Sequence, residues 1–307
     1  MRPVEVSHIA KSFGRTRAVD DVSFAVERGE IFALLGPNGA GKTTTIRIML
    51  DVFKPDRGSI SIFGGPMTEE KKGRIGYMPE ERGLYQDISL EQCLVYLGTL
   101  KGLSAAEARQ RVAASLRQFD LASHKRQKVK ELSKGMQQKA QIINTILHEP
   151  ELILMDEPFA ALDPVNVQMV KELMRDLRAQ GRSIIMSTHQ MHHAEELCDR
   201  ILLINQGRVV LEGTLDKVQR QYAGHAVWVR VAGELPTVAG VESVSQHNHA
   251  TKWTLTPDTT PQDVLRALLA ADVTVEQFEI ALPSLEEVFI RAVNESPESG
   301  TGYQGGA

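Results

Sequence analysis

Residues Gly36-Pro37-Asn38-Gly39-Ala40-Gly41-Lys42-Thr43 fit the spacing G-x-x-x-x-G-K-[ST], the pattern of a cradle for a nucleoside triphosphate. The glycines let backbone N–H groups close around phosphate oxygens. The loop follows the apolar run Ile31-Phe32-Ala33-Leu34-Leu35 and opens a helix predicted from Thr43 to Val52. That order of strand, loop and helix is the context the pattern needs, and the helix N-terminus adds partial positive charge under the anion. Lys42 is expected to reach the β- and γ-phosphates and Thr43 to ligate Mg²⁺. Asn38 and Thr44 are further candidate nucleotide contacts.

A second apolar run, Leu152-Ile153-Leu154-Met155, ends in Asp156-Glu157. Adjacent acids at the end of a buried strand are costly unless a cation and a water use them. In a phosphate-loop ATPase, Asp156 would hold the Mg²⁺ shell. Glu157 is then the candidate to polarise the attacking water. A third run, Ser183–Ser187, leads through Thr188 to His189. His192 and His193 follow closely, but the three histidines lack partner ligands at metal-binding spacing.

These residues need a buried sheet to hold them. The two continuous apolar runs suit strands covered on both faces. Residues 3–10 and 21–27 alternate as strands around the turn Phe13-Gly14-Arg15, and Ile60–Phe63 and Ile75–Met78 read as short strands. From about 89 to 148 the apolar spacing is helical throughout (Leu90, Cys93, Leu94, Leu97; Ala108, Val112, Leu116, Phe119; Met136, Ala140, Ile143, Leu147). This stretch reads as a helical insertion. Val165–Gln180 and Ala194–Cys198 are predicted helices, and Asn205-Gln206-Gly207 is a hairpin turn between Ile201–Ile204 and Arg208–Leu211. Strands alternating with helices predict a parallel α/β sheet. Beyond Tyr222, strands at Val227–Val231, Trp253–Leu255 and Val273–Ile280 and helices at Val264–Leu269 and Leu285–Val293 predict a small α+β domain over 222–295. The Gly- and Ser-rich tail 296–307 is expected to be disordered.

Composition narrows the partners. Aromatic residues make up 5% of the 307 residues, too few for a base-stacking surface. Residues 222–307 carry 4 basic and 11 acidic side chains, and the remainder is only slightly basic, so no basic stripe for a duplex is present. Cys93 and Cys198 have no ligand-like spacing and are expected to be buried thiols of a reducing compartment. No apolar segment approaches the length of a bilayer span, and Met1–Val6 lacks the apolar core of a leader.

Taken together, residues 1–221 resemble the nucleotide-binding subunit of ABC (ATP-binding cassette) transporters. Gly36–Thr44 is similar to the family's phosphate loop, and Leu132-Ser133-Lys134-Gly135-Met136 to its signature L-S-G-G-Q. Ala161-Leu162-Asp163 resembles its D-loop, and His189 stands where its switch histidine belongs. The resemblance implies a P-loop NTPase three-layer core with an antiparallel β subdomain and a helical insertion, followed by the small C-terminal α+β domain. It further implies an ATPase that dimerises head to tail around two ATP molecules. Ser133 and Gly135 would then touch the γ-phosphate held by the other copy, His189 would contact the γ-phosphate, and Phe13 would stack on adenine. Glu80 stands where the family usually has a glutamine that contacts Mg²⁺ and water. Lys134 and Met136 also depart from the signature, whereas Ser133 and Gly135 keep it.

The phrase Tyr77-Met78-Pro79-Glu80-Glu81-Arg82-Gly83-Leu84-Tyr85 and the ending Leu282–Phe289 look like the ABC-2 type exporters, a group that includes sodium-extrusion and drug-resistance ATPases. The expected partners are transmembrane permease subunits, received in a cleft along Arg82–Tyr96 whose candidate wall residues are Leu84, Tyr85, Leu90 and Tyr96. A cytoplasmic subunit held on the inner face of the cell membrane through those partners is expected. The alternative is a soluble ABC protein acting on ribosome or DNA. Such proteins usually carry two cassettes or long coiled-coil insertions, and this chain has neither. A small-molecule kinase would leave the signature and Ala161-Leu162-Asp163 unexplained.

Overall fold

The computed structural model describes residues 1–295 with the exception of 82, 224, 234, 248, 249 and 272. The expected disordered tail 296–307 and Arg82 therefore lie outside the described residues. The chain divides into two compact units, residues 1–214 and 215–307.

The first unit holds two sheets. A three-stranded antiparallel sheet, in the order β2-β1-β4, is built from β1 (Val4–Phe13), β2 (Thr16–Val26) and β4 (Arg57–Ile62). A six-stranded sheet is built from β3 (Ile31–Leu35), β5 (Ile75–Met78), β6 (Leu152–Asp156), β7 (Ser183–Thr188), β8 (Arg200–Asn205) and β9 (Arg208–Thr214). Its order is β5-β6-β7-β3-β8-β9, parallel except for the last pair. Every residue of β3, β6 and β7 is buried, as continuous apolar runs require of central parallel strands. The parallel order brings the C-terminal ends of β5, β6, β7 and β3 to one edge, where ligands bind in open α/β sheets.

The helices are α1 (Lys42–Met49), α2 (Glu69–Lys72), α3 (Leu90–Leu100), α4 (Ala105–Gln118), α5 (Lys134–Ile146), α6 (Pro164–Ala179) and α7 (Met191–Leu197). α1 ends three residues short of the predicted Val52, and Asp51 sits at φ 62°, a left-handed turn that stops the helix. The predicted insertion is α3, α4 and α5. Ser89 and Ser104 start α3 and α4 with reciprocal capping boxes to Gln92 and Glu107. Cys93 and Cys198 are buried, and burial pushes both thiols upward.

The β8–β9 turn is Gln206-Gly207, both with positive φ (49° and 79°), as a two-residue hairpin demands. It braces the phosphate loop. Gly207 N–H donates to Ala40 O at 2.9 Å, and Gly207 O accepts from Asp20 N–H at 2.8 Å. The loop, β2 and the hairpin are thus tied through one residue.

The second unit contains α8 (Leu215–Gln221), β10 (Ala226–Ala232), β11 (Val241–His247), β12 (Ala250–Leu255), α9 (Pro261–Ala270), β13 (Thr274–Ile280) and α10 (Leu285–Glu295). Its antiparallel sheet runs β11-β12-β10-β13. Val227, Val229, Trp253 and Leu255 pack with Val264 and Leu268 of α9 to make its core.

Candidate functional site

The start of α1 is shaped by two close approaches. A Cβ on Gly36 would lie 2.1 Å from Ile204 O, and one on Gly41 would lie 2.4 Å from Ala18 O. Gly41 is the N-cap of α1 at φ 109°, and no side chain caps the helix. Its first N–H groups are therefore open to an anion. Lys42 is 7% exposed and donates from Nζ to Gly36 O (2.8 Å) and Pro37 O (3.0 Å). Burial pulls its amine below the ordinary lysine range, against Glu157, Asp156 and Glu80, which act in the opposite sense. Four residues from three segments thus share one electrostatic neighbourhood. Glu80 is exposed at the end of β5, and Thr43 and Thr44 are half-buried on the first turn of α1.

Asp156 is 1% exposed. One carboxylate oxygen accepts from Ser187 Oγ, and the other, Oδ2, is buried without a partner. Such an orphaned acceptor is costly in isolation and suits a hard cation. With the Thr43 hydroxyl on the adjoining helix, the donors present fit Mg²⁺.

Glu157 is 8% exposed and sits at φ 50°, a strained left-handed conformation for a side chain of this size. Its N–H still bonds Ser187 O at 3.0 Å, so the hydrogen bonding between β6 and β7 continues one residue past the end of β6. The carboxylate accepts from Thr188 Oγ1 (3.0 Å) and His189 N–H (3.0 Å), and His189 Nδ1 lies 2.7 Å from Oε1. Gln138 of α5 donates to the carbonyls of Glu157 and Pro158, at 3.2 and 3.1 Å, and fixes the turn from below. Sequence reading passed over the anchoring roles of Ser187, Thr188 and Gln138. The first two were legible only as neighbours of His189, and nothing in the sequence marks the third.

Ser133 is the N-cap of α5 and accepts from Met136 N–H at 3.2 Å. A Cβ on Gly135 would come within 3.1 Å of Ala161 O. The Ser133 hydrogen bond is thus within its own helix, and the space beside Gly135 is bounded by Ala161 and Leu162. The insertion that carries them leaves the sheet at β5, separated from β3 by β6 and β7. Phe13, at the tip of the β1–β2 hairpin, is 43% exposed, with its edge on Phe53 and Lys11 Nζ 5.7 Å from its ring centre. His193 packs on Phe159 with ring centres 4.4 Å apart, and burial pushes it down to about 4. Of the cleft residues, Leu84 and Leu90 are core, whereas Tyr85 and Tyr96 are half exposed and meet edge to face at 5.6 Å.

The ABC transporter family model matches residues 19–160, and the model of the DrrA1-3-like ATP-binding protein C-terminal domain matches residues 213–293. Over 291 residues the chain is 38% identical to the ABC transporter ATP-binding protein YhaQ of Bacillus subtilis, covering 94% of this chain and 97% of that one. Over 298 residues it is 32% identical to the daunorubicin resistance ATP-binding protein DrrA3 of Streptomyces coeruleorubidus, covering 94% of each. A solved ATP-binding subunit of an ABC transporter aligns with a TM-score of 0.67 at 38% identity, over 71% of this chain and 92% of that one. The chain belongs to the ABC transporter ATP-binding proteins. It is an ATP-binding and ATP-hydrolysing subunit on a phosphate-loop α/β core, with a DrrA-like C-terminal domain. None of these matches points to a ribosome- or DNA-acting protein. Among the described residues, no helix is long and apolar enough to cross a membrane.

Proposed function

We propose that the chain drives an ABC-2 type exporter as a head-to-tail homodimer that holds two ATP between its copies. The observation that carries this reading is that Ser133 and Gly135, which keep the signature, stand at the start of α5 and among the described residues make no hydrogen bond to the phosphate loop of their own chain. One copy binds the triphosphate over Gly36–Thr44. Thr43 and Asp156 hold Mg²⁺, which screens phosphate charge when bound, with Glu80 beside them. The other copy presents Ser133 and Gly135 at the start of its α5 helix to the γ-phosphate. Phe13 offers an open ring face to adenine.

The geometry gives Glu157 and His189 a resting arrangement. His189 is bonded to the same carboxylate that must accept a proton from water. A γ-phosphate that draws the His189 ring away removes one of the two groups on Oε1, while His189 N–H and Thr188 Oγ1 keep the carboxylate in place. Hydrolysis is thereby tied to a filled, closed site.

The drug-resistance relative and the matching C-terminal domain support export as the direction. Membrane contact, at the cytoplasmic face, comes through permease subunits docked beside Tyr85 and Tyr96. The test is co-purification: the tagged chain, co-expressed with the membrane protein encoded beside its gene, should carry that protein through detergent extraction. Tyr85→Ala combined with Tyr96→Ala should reduce recovery at least about tenfold, as for loss of aromatic anchors, while ATP affinity stays unchanged. Undiminished recovery contradicts this docking face.

A further inference from the structure

On the edge of the six-stranded sheet opposite the phosphate loop, where β5, β6 and β7 begin, lies a cavity of about 420 Å³. Its walls carry Arg2, Arg28, Arg74 and Arg182 against only Glu149 and Glu151. The volume is that of a small-ligand pocket.

The acids are already matched. Glu151 takes a two-pronged bond from Arg74, at 2.6 and 3.0 Å, and Glu149 pairs with Arg111 at 3.1 Å. Arg2 pairs with Glu27 at 2.7 Å. Two guanidiniums are left over. Arg28 is exposed and has no hydrogen-bond or ion-pair partner among the described residues. Arg182 donates one N–H to Pro150 O at 2.6 Å, and its Nε is buried with no partner. Arg74, Arg28 and Arg182 all converge on Glu151, whose carboxyl they hold below the usual range, chiefly through the Arg74 hydrogen bond. Three cations thus share one monoanion.

Capping of α6, whose C-terminus borders the cavity, does not account for the excess. Its last turn is closed by the backbone N–H groups of Gln180, Gly181 and Arg182, which reach Asp176 O, Arg178 O and Leu177 O. The Arg28 guanidinium and the Arg182 N–H groups not bonded to Pro150 are therefore the donors this cavity has left for an incoming acceptor. Guanidinium groups favour planar, paired contact with phosphate oxygens.

We propose that this cavity is a second anion site, distinct from the phosphate loop, which takes a small phosphate-bearing molecule between Arg28 and Arg182. The test uses the full chain with Lys42→Ala, to weaken binding at the phosphate loop, titrated calorimetrically with inorganic pyrophosphate. One pyrophosphate per chain is expected. Adding Arg28→Glu should weaken it at least about tenfold, Arg28→Ala should weaken it less, and each should melt where the parent does. Arg28→Glu with Lys42 intact should hydrolyse ATP at the parental rate, since Arg28 lies outside the ATP site. An absence of binding in the Lys42→Ala chain overturns the proposal, as does binding indifferent to Arg28→Glu. Succinate binding as tightly as pyrophosphate overturns the phosphate assignment.

Discussion

Glu157→Gln is expected to slow ATP hydrolysis by about three orders of magnitude, within the range typical of losing a general base, while ATP affinity holds. The substitution keeps shape and most contacts. A glutamine oxygen can still accept from Thr188 Oγ1 or from His189 N–H, the groups that hold the carboxylate now. It cannot take a proton from water. Affinity is spared because Glu157 is the leading acid beside Lys42, and neutralising it leaves the lysine charge to the phosphates. ATP should therefore accumulate unhydrolysed between two copies. Light scattering should show twice the monomer mass with ATP and the monomer mass without it. Normal turnover in this variant would remove Glu157 as the base.

Lys42→Ala is expected to weaken ATP binding by about a hundredfold, the scale of one lost charge-assisted bond of roughly 2–3 kcal/mol. Lys42 is buried and now bonded to Gly36 O and Pro37 O. Alanine strands both carbonyls and removes the cation among Asp156, Glu157 and Glu80. An incoming triphosphate would then meet three carboxylates with no opposing side chain. Titration with a fluorescent ATP analogue measures the loss, and unchanged affinity contradicts the placement of the phosphates.

Much of this was legible in the sequence because buried parallel strands announce themselves. Ile31–Leu35 and Leu152–Met155 are unbroken apolar runs, and each delivers chemistry directly after its last residue. A hairpin turn within Asn205-Gln206-Gly207 was equally plain, and the structure narrows it to Gln206-Gly207, with Asn205 and Arg208 paired. Its grip on Ala40 and Asp20 was not, because backbone bonds carry no residue signature. In the second unit, β11 (Val-Glu-Ser-Val-Ser-Gln-His) went unread: it is an edge strand with little apolar content. α8 was missed for a similar reason, with only Val218 of its seven residues buried. The resting bond between His189 and Glu157 joins the ends of β6 and β7, a pairing that motif spacing does not encode. The arginine cavity gathers residues from segments as distant as Arg2 and Arg182, so only the folded chain reveals it.

The proposed enclosure of each ATP by two copies is open to test by mixing Lys42→Ala with Gly135→Asp. Alone, each variant spoils both sites of its homodimer, one through the cradle and the other through the signature. In a mixed dimer both lesions fall on one site, and the second site is intact. With random exchange, half the dimers are mixed, so the ATPase rate should recover to about a quarter of the parental rate in a symmetric head-to-tail pair. A mixture no more active than the average of its two components would contradict the shared site.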